Sequence, residues 1–430
     1  MKCDVCGIES DFEASFIRQR KSFRSTKETL CHACWTRRRN SFEGWYQVAV
    51  LVGGMIGCGL LWQDPWSPVG RFLTTLFLID LFLILSIVPH ELGHAIAGRL
   101  VGWRVFAIVV GVGKQAVKFR RFGIIFAVHW LPVGGVTRLA PVNARWIRTR
   151  RFFILLAGPA VNAAIVLVII VMWWDSWRDF GLMGLPRAAR LCVWANLCVL
   201  AFNLWPRHSK TLNLDTDGKQ LLRTFSRKPE NWEDLLAARY ALEAVLRRDE
   251  YRDRAGALAW CDQGLALFPH NIHLLNLSGV LCLDQQNHLR AREIFRQLLA
   301  RQTKPDGTRY LLLNNLAYAD ALAGDPDLLP EADAYSNEAY KAAPWVPAFM
   351  GTRGTVLVAM GQLEAGIKLL EQSFEKALNP RSKAENACHL AIANARSGNR
   401  DQADQYLKLA RQLDSECRLT ERVQTELQKP

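Results

Sequence analysis

His90, Glu91 and His94 stand together in a long, mostly apolar run from Phe72 to Leu100, with few charges flanking them before Arg99. On a helix, side chains four positions apart share a face, so the two imidazoles can reach one metal ion. Glu91 projects about a third of a turn away, where it can act on a water held by that ion. In a soluble helix this spacing often arises by chance. Within an apolar span it is harder to dismiss, because buried ionisable groups there are costly and need a partner. A metal is the simplest partner.

The elements that must position these residues follow from the apolar runs. The chain has 430 residues, half of them hydrophobic, with a formal charge of +14. The first half is apolar and basic, and from about Pro229 the pattern is that of soluble helices. Residues 1–45 are polar and do not read as a secretory signal. Four membrane spans are expected, at Val48–Trp62, Phe72–Leu100, Phe152–Trp174 and Ala188–Trp205. Trp45, Tyr46 and Trp62 flank the first of these as interfacial aromatics do. Residues 101–151 carry ten Lys and Arg and no acid. With Arg37-Arg38-Arg39, this places the loop and both termini on the cytoplasmic side, across two spans. The basic charge thus has a membrane explanation, and no nucleic-acid partner is expected.

Val105–Val112, Ala116–Phe119 and Ile124–Trp130 read as short strands of a small sheet at the bilayer surface. A tight glycine loop, Leu131-Pro132-Val133-Gly134-Gly135-Val136, is expected after them. Asn162, in Ala157-Gly158-Pro159-Ala160-Val161-Asn162, is an intramembrane polar group that needs a partner, with an inter-helix hydrogen bond as its simplest role. After Asn203-Leu204-Trp205-Pro206 come Asp215 and Asp217, either of which can supply a third metal ligand.

Two further regions flank this core. Cys3-x-x-Cys6 and Cys31-x-x-Cys34 have the matched spacing of a four-thiolate structural zinc site, with His32 a bystander. The remaining cysteines are scattered, which argues against a secreted disulfide scaffold. From Asn231 onward, prolines at 269, 305, 344 and 380 and glycines at 324, 361 and 398 punctuate four or five helix pairs. This is the period of tetratricopeptide-like repeats, slightly lengthened. Small residues at Ala257, Ala291, Ala317 and Ala365 suit close helix packing, and a concave face for a peptide or protein partner is expected.

In this order, His90-Glu91-Leu92-Gly93-His94, the glycine loop at 131–136, the Ala157–Asn162 segment, Asn203–Pro206 and Asp217-Gly218 resemble the site-2 protease family of intramembrane metallopeptidases, over roughly residues 71–225. The resemblance implies a catalytic Zn2+ on His90, His94 and Asp217, with Glu91 as the catalytic glutamate. It also implies a substrate held extended near Gly134 and Gly135, and the reading extends to Asn162 as a substrate or oxyanion contact. The gap between Pro206 and Asp217 is longer than the common family pattern, which keeps Asp215 as a rival ligand. His129 and His208 read as structural or interfacial.

The expected fold is mainly α: a polytopic membrane core of about four spans with a small surface sheet. Its expected divisions are a zinc ribbon at 1–40, an intramembrane metalloprotease domain at 41–228 and an α-solenoid at 229–430. The expected function is zinc-dependent hydrolysis of a peptide bond in or beside the transmembrane helix of a membrane-protein substrate, in regulated proteolysis. The expected location is a multi-pass protein of the cell (inner) membrane. The competing readings are a proteolytically inactive membrane scaffold that recruits partners through its repeats and, more weakly, a transporter.

Overall fold

A computed structural model of the protein describes residues 16–20, 27–209, 214–226, 232–302, 304–377 and 379–428. A short antiparallel hairpin, β1 (Phe16–Arg20) and β2 (Lys27–Cys31), precedes α1 (His32–Gln63). Cys3 and Cys6 lie outside the described residues. Only the backbone is described at Cys31 and Cys34, so the expected thiolate site lies outside what the structure describes.

Helix α2 (Pro68–Leu100) opens with Pro68 in its first turn, and the Ser67 hydroxyl accepts the Gly70 N–H at 3.2 Å. Its 33 residues span about 50 Å, against a hydrocarbon layer of about 30 Å. Its ends must therefore reach past the apolar zone. Glycines let α1 and α2 approach: Gly54 faces the Phe77 ring and Gly57 faces Thr74.

Among the described residues, three helices are long and apolar enough to cross a membrane: α2, α3 (Ile147–Met172) and α5 (Arg187–Leu204). The first expected span falls on α1, whose described apolar part is Val48–Gln63. The segment between α3 and α5 carries α4 (Trp174–Phe180) and a 3-10 turn at Gly181–Gly184. Trp174 stacks on Trp177 there, with ring centroids 5.7 Å apart.

Two long strands, β3 (Trp103–Arg121) and β4 (Ile124–Pro141), fold back so that each pairs twice. Residues 103–110 lie between 124–128 on one side and 135–141 on the other, which makes a four-stranded sheet. The expected glycine loop at 131–136 is instead part of β4. Gly134, at φ 128°, and a register shift let the strand turn from one pairing to the next. The buried face, Val105, Ile108 and Ile124, packs on Ala95 of α2.

A two-residue ladder, β5 (His208–Ser209) with β6 (Leu214–Asp215), leads into α6 (Asp217–Phe225). Helix α7 (Trp232–Glu250) sets Trp232, Leu235 and Leu236 against Trp103, Ile147 and Ile154. Its Leu242 and Leu246 pack on Phe106 and Ala140, and Glu243 pairs with Arg104 at 3.2 Å. The compact membrane unit is therefore Arg39–Leu246. It extends past the expected boundary at 228 because α7 buries its apolar face on the sheet.

The repeat-bearing unit includes Arg247–Pro430. After α8 (Arg254–Leu267) come four helix pairs: α9 (Ile272–Asp284) with α10 (His288–Arg301), α11 (Gly307–Ala323) with α12 (Leu329–Ala342), α13 (Pro347–Ala359) with α14 (Leu363–Lys376), and α15 (Pro380–Arg396) with α16 (Arg400–Leu413). Helix α17 (Leu419–Leu427) follows. Gly324, Gly361 and Gly398 take positive φ at the turns within pairs, as only glycine does readily. In the first pair Gln286, at φ 61°, fills that place. Ala257, Ala291 and Ala317 are fully buried as expected. Ala365 is exposed, and the close approach there belongs to Gly366, whose missing side chain admits Val358.

Candidate metal centre

The H-E-x-x-H turn is buried: His90, Glu91 and His94 are 2%, 4% and 6% exposed. The imidazoles meet edge to face, and their Nε2 atoms lie 3.2 Å apart. Asp217, in the first turn of α6, brings its Oδ2 to 3.1 Å from His90 Nε2 and 3.2 Å from His94 Nε2. The other face of each imidazole is also engaged. His94 Nδ1 lies 2.7 Å from the Ile154 carbonyl of α3, and His90 Nδ1 lies 2.7 Å from Asn162 Oδ1. A backbone carbonyl has no proton to give, so His94 Nδ1 donates and its Nε2 turns a lone pair inward.

This donor set fits a metal ion. A tetrahedral zinc about 2.0–2.1 Å from each nitrogen or oxygen ligand needs them roughly 3.3–3.4 Å apart. Three acceptor atoms facing one another at 3.1–3.2 Å repel unless a cation lies among them. His90, His94 and Asp217 form the one His/Cys/Asp/Glu group with metal-ligand spacing among the described residues.

Glycines make the geometry possible. A side chain at Gly158 would run into the His94 ring, and one at Gly93 would strike the Ala157 carbonyl. Helix α3 can therefore press against α2 only where both are glycine. A side chain at Gly218 would collide with the Leu204 carbonyl at the end of α5, which explains the glycine after Asp217. A side chain at Gly135 would overlap the Glu91 carboxylate. Next to it, the Thr137 hydroxyl lies 2.7 Å from Glu91 Oε2 and 3.0 Å from the Glu91 backbone oxygen.

Of the residues read from sequence, His90, Glu91, His94, Gly135, Asn162 and Asp217 come together. Asp215 does not join them: it takes His208 and Lys219, each at 2.9 Å, and Arg223. Its side chain secures the turn that delivers Asp217, and His208 serves it as a structural partner. His129 bonds the Gly113 carbonyl at 2.9 Å, within the sheet. Asn162, fully buried, gives one N–H to the Ser86 carbonyl at 3.0 Å and the other to Asn196 Oδ1 at 2.8 Å. Its amide has no donor left for a substrate oxyanion, so the geometry favours its inter-helix role. Sequence reasoning missed Thr137, Ser86 and Asn196. Asn196, a lone amide in an apolar span, carried the same signal that marked Asn162.

The chain thus brings two imidazoles of α2, a helix suited to a bilayer, together with a carboxylate of α6 in the spacing of metal ligands. It belongs to peptidase family M50, whose pattern it matches over residues 78–320. It is 30% identical over 145 residues to the zinc metalloprotease Rip1 of Mycobacterium tuberculosis, covering 30% of this chain and 34% of that protein. It is 31% identical over 137 residues to a putative zinc metalloprotease of Ralstonia nicotianae, covering 26% of this chain and 29% of that one. A putative zinc metalloprotease of Helicobacter pylori is 41% identical over 59 residues, 14% of this chain and 17% of that protein. The chain thus spans about a third or less of the length of these relatives. Among solved structures it is similar to a thermophilic TPR protein of Thermus thermophilus, at 19% identity and a TM-score of 0.36, covering 44% of this chain and 98% of that one.

Proposed function

We propose that the protein is an intramembrane zinc metalloendopeptidase that cleaves a membrane-protein substrate in or beside a transmembrane helix. The convergence of His90 Nε2, His94 Nε2 and Asp217 Oδ2 beside the Glu91 carboxylate carries this reading. When bound, zinc supplies Lewis acidity, which activates water and polarises the scissile carbonyl. Glu91 takes the proton from that water and returns it to the leaving amine. Thr137 holds the Glu91 carboxylate in place for both transfers.

A helical substrate hides its carbonyls in hydrogen bonds and must unwind to be cut. Among the described residues, 135–141 pair on one side only, so this edge beside Glu91 can take an extended substrate strand and replace the lost bonds. Gly134 and Gly135 belong to that reading as the bend that brings the edge to the site. The protein is placed in the cell (inner) membrane with both termini cytoplasmic, in line with the basic residues at 101–151. The four N-terminal cysteines hold a second, structural zinc. The repeats take a protein or peptide partner that sets substrate choice in regulated proteolysis.

The test compares the membrane proteomes of cells carrying wild type or Glu91→Gln. A single-span protein that accumulates only in the variant, with its soluble fragment only in wild type, would establish the activity and name the substrate. Unchanged membranes, with repeat-bound partners recovered equally from both, would move the assignment to an inactive scaffold.

A further inference from the structure

Behind His90, on the side away from Asp217, runs a chain of buried amides. Asn196 of α5 gives an N–H to the Cys192 carbonyl at 2.9 Å, one turn back on its own helix. Its Oδ1 therefore faces Asn162 of α3, 2.8 Å from that residue's Nδ2. The Asn162 Nδ2 also bonds the Ser86 carbonyl of α2 at 3.0 Å, and its Oδ1 faces His90 Nδ1 at 2.7 Å. Ser86, Asn162 and Asn196 are each at most 1% exposed, so water cannot substitute for a missing partner.

The two backbone carbonyls at the ends of this chain can only accept. Each amide between them is thus oriented in turn. Turning Asn162 over would set its Oδ1 against both the Ser86 carbonyl and Asn196 Oδ1, two acceptor–acceptor contacts in a dry interior. The last link, Asn162 Oδ1, requires a hydrogen on His90 Nδ1, which leaves the His90 Nε2 lone pair aimed at Asp217 and His94. We infer that Asn196 is a positioning residue for the metal centre: through Asn162 it fixes the His90 tautomer that can bind zinc. This rests on the zinc reading above. It gives α5 a role in the site that its own side chains, which donate no ligand, would not suggest. His94 obtains the same tautomer directly from a backbone carbonyl, whereas His90 depends on the Asn162 side chain, which the Ser86 carbonyl and Asn196 orient together.

The test uses the full-length protein with 15N-labelled histidine, with His90 assigned by its loss in His90→Gln. In the metal-free wild type, His90 should show a protonated Nδ1 and a bare Nε2. Asn196→Leu should mix the two tautomers and weaken zinc binding about ten- to hundredfold in competition with a chelator. Asn196→Asp, which keeps an acceptor for Asn162, should stay closer to wild type in both readouts. If Asn196→Leu does not fold, Asn196→Ser, too short to reach Asn162, must show the same loss. An unchanged tautomer and zinc affinity in Asn196→Leu or Asn196→Ser would overturn the inference. So would an equal loss in Asn196→Asp and Asn196→Leu, which would reduce Asn196 to packing. If wild type shows the single tautomer but binds no zinc, the protease reading fails while the relay stands.

Discussion

Both compact units bury polar side chains, but they do so on different terms. In the repeat unit, buried polar groups mostly meet as donor and acceptor. Arg292 reaches fully buried Asp320 at 2.6 Å, Arg381 bridges Asp284 and Glu385, and Tyr318 lies 3.0 Å from His389 Nε2. Such groups neutralise one another and hold helix to helix. In the membrane unit, His90, His94 and Asp217 turn three acceptors toward one point, while the Nδ1 atoms of the two imidazoles face outward to an amide and a carbonyl. Arrangement, then, separates a structural buried polar group from a functional one. A cluster that lacks an internal counter-charge is built for a ligand that supplies it.

The comparison breaks most sharply at Glu91. Glu91→Gln keeps the size and burial of the side chain but removes the base. Hydrolysis of a transmembrane reporter in proteoliposomes should fall about 10²–10⁴-fold, with zinc content unchanged by elemental analysis. Full activity in this variant would refute the assigned role.

Next in size is the contrast between two neighbouring carboxylates. Asp217→Asn removes a charged ligand and should weaken zinc binding by more than the roughly hundredfold seen for residues that only support ligands. Asp215→Asn loosens the turn and should cost far less. Equal losses in the two variants would mean that Asp215 shares the ligand role.

Glycines sharpen the contrast further. Gly158→Ala places a methyl group in the His94 ring and should abolish stoichiometric zinc binding. Gly361→Ala, at φ 82° with open space around it, meets only backbone strain. It should lower the stability of the repeat unit by about 1 kcal/mol in chemical denaturation and leave zinc untouched. Zinc retention by Gly158→Ala would show that α2 and α3 are not locked together at the site.

The contrast also predicts a pH dependence confined to the repeats. Burial, aided by the Arg422 charge, lowers the His389 pKa to about 3. The unfolded chain takes up a proton near pH 6.5 while the folded one resists it. The stability due to neutral His389 is complete above about pH 6.5 and declines toward pH 3, at no more than about 1.4 kcal/mol per pH unit. The double variant His389→Leu with Tyr318→Phe should flatten that decline. An unaltered slope in thermal unfolding between pH 6.5 and 4 would assign it to other groups.

The candidate metal ligands are legible in sequence to different degrees. His90 and His94 follow from helical spacing alone, and Glu91 with them. Asp217 lies over a hundred residues away, and only the chain path through β5 and β6 separates it from Asp215. The repeat pairs were legible because proline and glycine mark local backbone geometry, whether or not neighbours are known. Residues 131–136 were misread as a loop because Gly-Gly signals a break. Here it signals a bend within a strand that changes partners. Helix α7 was read with the repeats because its amphipathic pattern reveals an apolar face but not which surface will cover it.

By itself, then, the sequence determined the apolar helices, the repeat rhythm and the chemistry of the H-E-x-x-H turn, since each depends on residues within a few turns of one another. Tertiary structure alone decided which aspartate meets His90 and His94. It also decided that Gly135 and Gly158 make room for Glu91 and His94, and that Asn196 stands at the end of a relay to His90. These are contacts between segments far apart in the chain, and their geometry exists only after α2, α3, α5 and α6 have packed.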